Sequence, residues 1–151
     1  MKLDDIDIKI LKLLQQDGKI TNVDLSQAVG LSPASTLERV RKLEQRQLIK
    51  AYHAELDPQV LGLHFKAVLL VKLQQGKETH HQFREAIVKI DAITSCLQVS
   101  GTFDYVAVVL TSDAAAFQQL ITEQLAAIES IRDMQVLSVI GEIKDSGLPL
   151  K

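Results

Sequence analysis

The chain has 151 residues, 46% of them apolar and 24% charged, with a formal net charge of −2. That length allows one ordinary domain or two small ones sharing a linker, and a near-neutral charge removes bulk basicity as an argument for a nucleic-acid partner. No run of 18 apolar residues occurs, and acidic Asp4, Asp5 and Asp7 stand where a secretory signal would be basic, so the expectation is a cytoplasmic chain that neither crosses nor sits on a membrane.

In chain order, Leu3 and Asp4 open a first helix, with Ile6, Ile10, Leu13 and Leu14 on one face and a stop at Asp17 and Gly18. Thr21, followed three residues later by Asp24, caps a second helix whose apolar positions are Leu25 and Val29. Gly30 supplies a turn. A third helix begins after Ser32, an N-cap, with Pro33 at the first helical position, where its missing amide costs nothing. At about 100° per residue, Ser35, Arg39, Lys42 and Arg46 share an outward sector, while Leu37, Val40 and Leu43 are expected to pack.

Residues 33–50 hold five basic side chains (Arg39, Arg41, Lys42, Arg46 and Lys50) against Glu38 and Glu44. Two helices hinged at a glycine, the second locally basic, form a helix-turn-helix pattern suited to a phosphate backbone. The plain alternative is a solvated hairpin whose charges only keep it in solution. Ser35, Thr36 and Arg39 are expected to face base edges, and Arg41, Lys42 and Arg46 phosphates, with Ser32 and Ala34 at the helix start. The segment from Leu48 to Leu56 reads as a short extended pair, a wing whose Lys50 or His53 could touch phosphate.

Around Asp57, Pro58 and Gly62 the spacing changes from helical to extended, which places a boundary there. The expected division is 1–50 for DNA binding, 51–64 as a linker, and 65–151 as a second domain that pairs with another copy. In the second half, Ala67–Leu73, Thr94–Val99, Tyr105–Leu110 and Met134–Ile140 read as strands. Phe83, Ile87 and Ile90 mark one helix, and Phe117, Leu120, Ile121, Leu125 and Ile128 another. This βαββαβ order is ferredoxin-like, with two helices on one face of the sheet and an open apolar face that a second subunit would cover. The fold class is α+β.

Catalysis and metal binding find no support in these residues. Glu123, Glu129, Asp133 and Asp104 have no spacing that pairs them on one face. His80 and His81 diverge by about 100° on a helix, which makes a shared metal difficult. The lone Cys96, in an apolar alternating segment, reads as a structural thiol. No cofactor is expected. A further possibility is a sensing module that regulates a protein partner and has lost DNA binding, against which the intact basic stripe argues.

The stretches LDDIDIKILKLLQQDGKITNVDLSQAVGLSP (3–33), LERVRKLE (37–44), YHAELDP (52–58) and VSGTFDY (99–105) resemble, in order, signatures of the Lrp/AsnC (feast/famine) family of transcription regulators, nearer its leucine-responsive branch. The resemblance implies a winged helix-turn-helix domain, a hinge strand and a ferredoxin-like βαββαβ (RAM) module. It also implies homodimers that assemble into tetramers or octamers, double-stranded DNA as partner and a small effector, an amino acid, bound between dimers near the turn joining the second and third strands. Here that turn is Ser100, Gly101, Thr102, Phe103, Asp104 and Tyr105. Across the pocket the resemblance places Gln135, Val136 and Ser138, with Gln98 on the second strand. Gly101 permits close backbone approach, exposed amides can take a carboxylate, and Asp104 or Thr102 can accept from an ammonium group. The same residues also suit an ordinary hairpin turn. Thr102 stands where the family usually has an acidic residue.

Overall fold

The computed structural model describes residues 3–145 and 147–150, which form two compact units. The first comprises residues 1–55 together with 144–151, and the second residues 56–143. The carboxyl-terminal residues therefore belong with the amino-terminal unit instead of with 65–143, because Leu150 packs into that unit's core.

In the first unit, α1 (Asp5–Gln16), α2 (Asn22–Val29) and α3 (Pro33–Gln45) each start on a side-chain cap. Asp4 and Asp7 form a reciprocal capping box: the Asp7 amide donates to Asp4 Oδ1 at 2.8 Å and the Asp4 amide to Asp7 Oδ2 at 3.3 Å. Thr21 accepts from the Asp24 amide, and Ser32 from the Ser35 amide. Gly30 ends α2 at φ 75°, a left-handed conformation that lets the chain turn into α3 without a Cβ clash. Ile10, Leu11, Leu25, Val29 and Leu43 make the core, with Ile6, Leu13, Leu14 and Val40 around them.

The packing stripe of α3 is Thr36, Val40 and Leu43, spaced i, i+4 and i+7. Leu37, expected inside, lies on the outer face. Residues 51–57 hold neither helix nor strand, so the extended pair expected across Leu48–Leu56 is not formed. Among the described residues no strand pairs with them, and their exposed backbone is left to water.

The second unit is a four-stranded antiparallel sheet of β1 (Phe65–Leu73), β2 (Ile93–Gln98), β3 (Tyr105–Thr111) and β4 (Ile131–Ser138), in spatial order β2-β3-β1-β4. The connections contain α4 (Thr79–Ile87) and α5 (Ala114–Leu120), which completes the ferredoxin-like arrangement. Strict alternation buries Ala67, Leu69, Val71, Leu73, Tyr105, Ala107 and Val109 against Phe83, Ile87, Phe117, Leu120 and Leu125. On the other face, Val68 lies opposite Val108 and Leu137, and Leu70 opposite Val106 and Gln135. Exposed Leu97 and Leu137 extend this apolar surface.

The helix expected through Ile128 divides: α5 ends at Leu120 and a π-helical turn covers Ile121–Leu125, closed by the Ala126 amide on the Ile121 carbonyl at 2.9 Å. The last strand starts three residues before its apolar run, since Ile131 and polar Asp133 still pair with β1 across a register shift, and it stops at Ser138.

Candidate nucleic-acid interface and ligand turn

Along α3 the side chains of Ala34, Ser35, Leu37, Glu38, Arg41, Lys42 and Gln45 are exposed, as are Ser32 before it and Arg46 after it. Together they make one continuous outward face. Asn22 at the start of α2 donates to the Pro33 carbonyl at 2.8 Å, which fixes the entry to α3 against its neighbour.

Two expected base readers are placed otherwise. Thr36 is fully buried, and its hydroxyl donates to the Ser32 carbonyl at 3.0 Å, so it is a packing residue. Arg39 lies at the border of the packed face, where one guanidinium nitrogen donates to Asp4 Oδ2 and to Asp7 Oδ1, both at 2.7 Å. The Asp7 amide and the Arg39 guanidinium hold the Asp4 carboxyl below its usual range, and the two carboxylates raise Arg39 in turn. Arg39 thus fastens α3 to the start of α1.

Lys42 is free of the core but pairs with Glu38 one turn earlier at 2.6 Å, and this lysine lowers the Glu38 carboxyl. A phosphate would have to displace Glu38. Glu38 and Leu37 are face residues that a count of basic side chains passes over; the i, i+4 spacing of Glu38 and Lys42 is the available signal.

In the second unit, the turn between β2 and β3 is held by the Val99 amide on the Asp104 carbonyl and the Asp104 amide on the Val71 carbonyl, both 2.9 Å. Ser100, Gly101 and Thr102 are exposed, and Gly101 has φ 130°, which disfavours any residue with a Cβ. Asp104 Oδ2 accepts from the Leu73 amide at 2.8 Å, and its Oδ1 lies 3.7 Å from Lys72 Nζ. Its carboxylate is therefore already committed to bracing the end of β1. Tyr105 is buried on the helix side, its ring 4.5 Å from that of Phe83 and its hydroxyl 3.1 Å from His80 Nδ1. It is a core residue.

Gln98, Gln135, Val136 and Ser138 are exposed, but β2 and β4 are opposite edges of the sheet. Three inter-strand steps, about 14 Å, separate them. Gln135 follows Leu70 onto the open face, whereas Val136 and Ser138 pair with Leu69 and Ala67 on the helix-covered side. One protomer does not bring these residues together around a single small molecule. A cleft of about 480 Å³, lined by Gln82, Lys89, Gln124 and Ser130 among others, lies between α4 and the π-helical turn, away from the β2–β3 turn.

Residues 3–50 match a family model described as winged helix-turn-helix DNA-binding, and residues 66–149 one described as the Lrp/AsnC ligand binding domain. The leucine-responsive regulatory protein of Haemophilus influenzae is 39% identical over 145 residues, covering 95% of this chain and 87% of the relative. The structure superposes on a Neisseria meningitidis transcriptional regulator solved with L-Met at a TM-score of 0.96 and 34% identity, covering 99% of this chain and 97% of the other. An AsnC family transcriptional regulator from Agrobacterium tumefaciens gives a TM-score of 0.92 at 29% identity, covering 98% and 97% of the two chains. With a capped helix-turn-helix joined to a ferredoxin-like ligand-binding module along nearly its whole length, the chain belongs to the Lrp/AsnC family of DNA-binding transcriptional regulators.

Proposed function

We propose that this regulator binds duplex DNA as a cytoplasmic homodimer that assembles into tetramers or octamers, and that an amino acid shifts that assembly. The observation that carries the DNA reading is the exposed face of α3, on which no core residue intrudes between Ala34 and Gln45. Ala34, Ser35, Leu37 and Arg41 face base edges in the major groove, the leucine and alanine offering apolar contact to thymine methyls and Arg41 a donor pair for guanine. Lys42, Arg46 and the Ser32 end of the helix take phosphate. The open face around Val68, Leu70, Val106 and Val108 supports pairing of two protomers through their sheets, which sets two α3 helices for grooves about 34 Å apart.

The ligand reading is supported by the exposed Ser100–Thr102 turn, by the matched ligand-binding model, and by relatives described as leucine-responsive or solved with L-Met. An aliphatic amino acid such as leucine or methionine is accordingly the first class of effector to test. Its carboxylate meets the turn amides at Gly101 and its ammonium group the Thr102 hydroxyl. Because Gln98 and the β4 residues Gln135, Val136 and Ser138 are spread over two edges and two faces, those that line the ligand come from a second copy, so binding reports on assembly. A ligand shifts assembly only through different affinities for two states.

Sedimentation velocity of the full chain, with and without each amino acid, paired with DNA titration tests this. The expected result is a changed mass distribution and DNA affinity with at least one amino acid; no response to any of them refutes the sensor. For DNA, Lys42→Ala should weaken binding to every sequence and flatten the salt slope by about one unit. Unchanged affinity and slope would remove Lys42 from the interface.

A further inference from the structure

The chain crosses between its two units twice, after Glu55 and again after Ile143, so the amino-terminal unit is held by residues from both ends of the sequence. The second crossing is built in detail. Gln15, in the last turn of α1, accepts from the Leu148 amide through Oε1 at 2.7 Å and donates through Nε2 to the Leu148 carbonyl at 3.2 Å. One side-chain amide thus satisfies both backbone groups of Leu148, as a neighbouring strand would. Pro149 biases Leu148 toward extended backbone, which presents those two groups.

Gly147 leaves the space this pairing needs: a Cβ there would lie 2.6 Å from Gln15 Oε1 and 2.9 Å from Gln15 Cδ. Beyond the proline, Leu150 packs with Leu3, Ile6, Leu13 and Leu14 around the core of the helix-turn-helix. Ile140 and Ile143, a few residues earlier, are almost fully exposed. The burial is therefore specific to the far end of the segment, where a receptor of matching polarity exists on α1.

We propose that residues 147–150 are a strap: this carboxyl-terminal segment closes the core of the DNA-binding unit by clasping α1. The clasp stands on the hydrogen bonds and packing just given. Its use as a relay, in which a ligand at β4 is felt by α1 and through Arg39 by α3, rests on the amino-acid reading above.

Hydrogen exchange of the intact full-length protein, read peptide by peptide, tests both parts. Truncation after Asp145 removes the strap, and Gly147→Val keeps the length while colliding with Gln15. In each, α1 amides should exchange several-fold faster, with the sheet of the second unit unchanged. Unaltered α1 exchange in both variants overturns the strap. An equimolar mixture of the twenty L-amino acids should change α1 exchange in the wild type and leave it unchanged in the truncated chain. A truncated chain that responds as the wild type does overturns the relay. If α1 of the wild type shows no response, exchange at the Ser100–Thr102 turn decides: a change there overturns the relay alone and no change there overturns the ligand reading, the clasp standing in both cases where the variants loosen α1.

Discussion

Replacing Arg39 by alanine separates a residue that holds the reading helix from one that touches DNA. Its partner Asp7 has a side chain only 11% exposed, and the guanidinium is 32% exposed. A hydrogen bond to a charged group contributes about 1.5–3 kcal/mol, and partial solvation of the arginine reduces this to about 1–2 kcal/mol. For a unit of roughly 60 residues, that loss lowers Tm by roughly 5–15 °C. The assay is thermal unfolding followed by helicity, with DNA titrations at four salt concentrations. A positioning role predicts lower affinity at every salt with the log–log slope unchanged. An Arg39→Ala, Asp7→Asn double-mutant cycle should return a coupling of about 1–2 kcal/mol. The acid limb follows from Asp4: its carboxyl lies below the ordinary 3.8 because the Asp7 amide and then Arg39 favour its charged form. A depressed value means that the stabilisation is present above the unfolded value and is lost as pH falls through the folded one. Below pH 4 the wild type should therefore approach the alanine variant. Full stability in Arg39→Ala, together with a slope reduced by about one unit, would falsify the clamp and make Arg39 a phosphate contact.

Glu38→Gln should raise DNA affinity and steepen the salt slope by releasing Lys42; an unchanged slope would mean that the lysine stays off the phosphates. Leu70→Lys, in the middle of the open sheet face, should shift sedimentation toward monomer without altering the helix-side core, and an unaffected dimer would place the interface elsewhere. Tyrosine absorbance should show an ionisation wave well above pH 10. Burial and then Glu44 push Tyr52 up to about 12, and burial raises Tyr105 as well. A raised value keeps the stabilising neutral form of Tyr52 intact below pH 10 and loses it as pH climbs toward 12, so an absorbance titration complete near pH 10 would contradict the Tyr52–Glu44 hydrogen bond of 2.9 Å.

What is legible in the sequence is local. Caps at Asp4, Thr21 and Ser32 and the glycine after α2 are written within four residues of where they act, and strand alternation from Phe65 to Leu73 separates the two sheet faces by parity. What stays hidden is decided at long range. Arg39 reads as an outward basic residue until α1 brings Asp4 and Asp7 beside it from more than thirty positions away. Thr36 looks like a polar contact, yet its hydroxyl is satisfied by its own helix, so burial costs little. Leu37 reads as inward because it is apolar, although phase around the helix puts Thr36, Val40 and Leu43 there first. Leu48–Leu56 has strand-like composition but no neighbouring strand. On the ligand side the turn is marked by Gly101, whereas the strand order that puts Gln98 and Ser138 on opposite edges follows from topology, which no pair of residues announces.

The wide turn at Ile121–Leu125 has a consequence for how this regulator tolerates insertion and deletion. By closing on the fifth residue instead of the fourth, it resets the angular phase of the helix, so that Leu125, not Gln124, continues the buried row begun by Phe117 and Leu120. Winding the same residues as a plain α-helix would turn Gln124 toward the sheet, whereas excising one of residues 122–124 would let an unbroken α-helix bring the leucine into the same row. The π turn thus absorbs one residue and keeps Leu125 in the buried row.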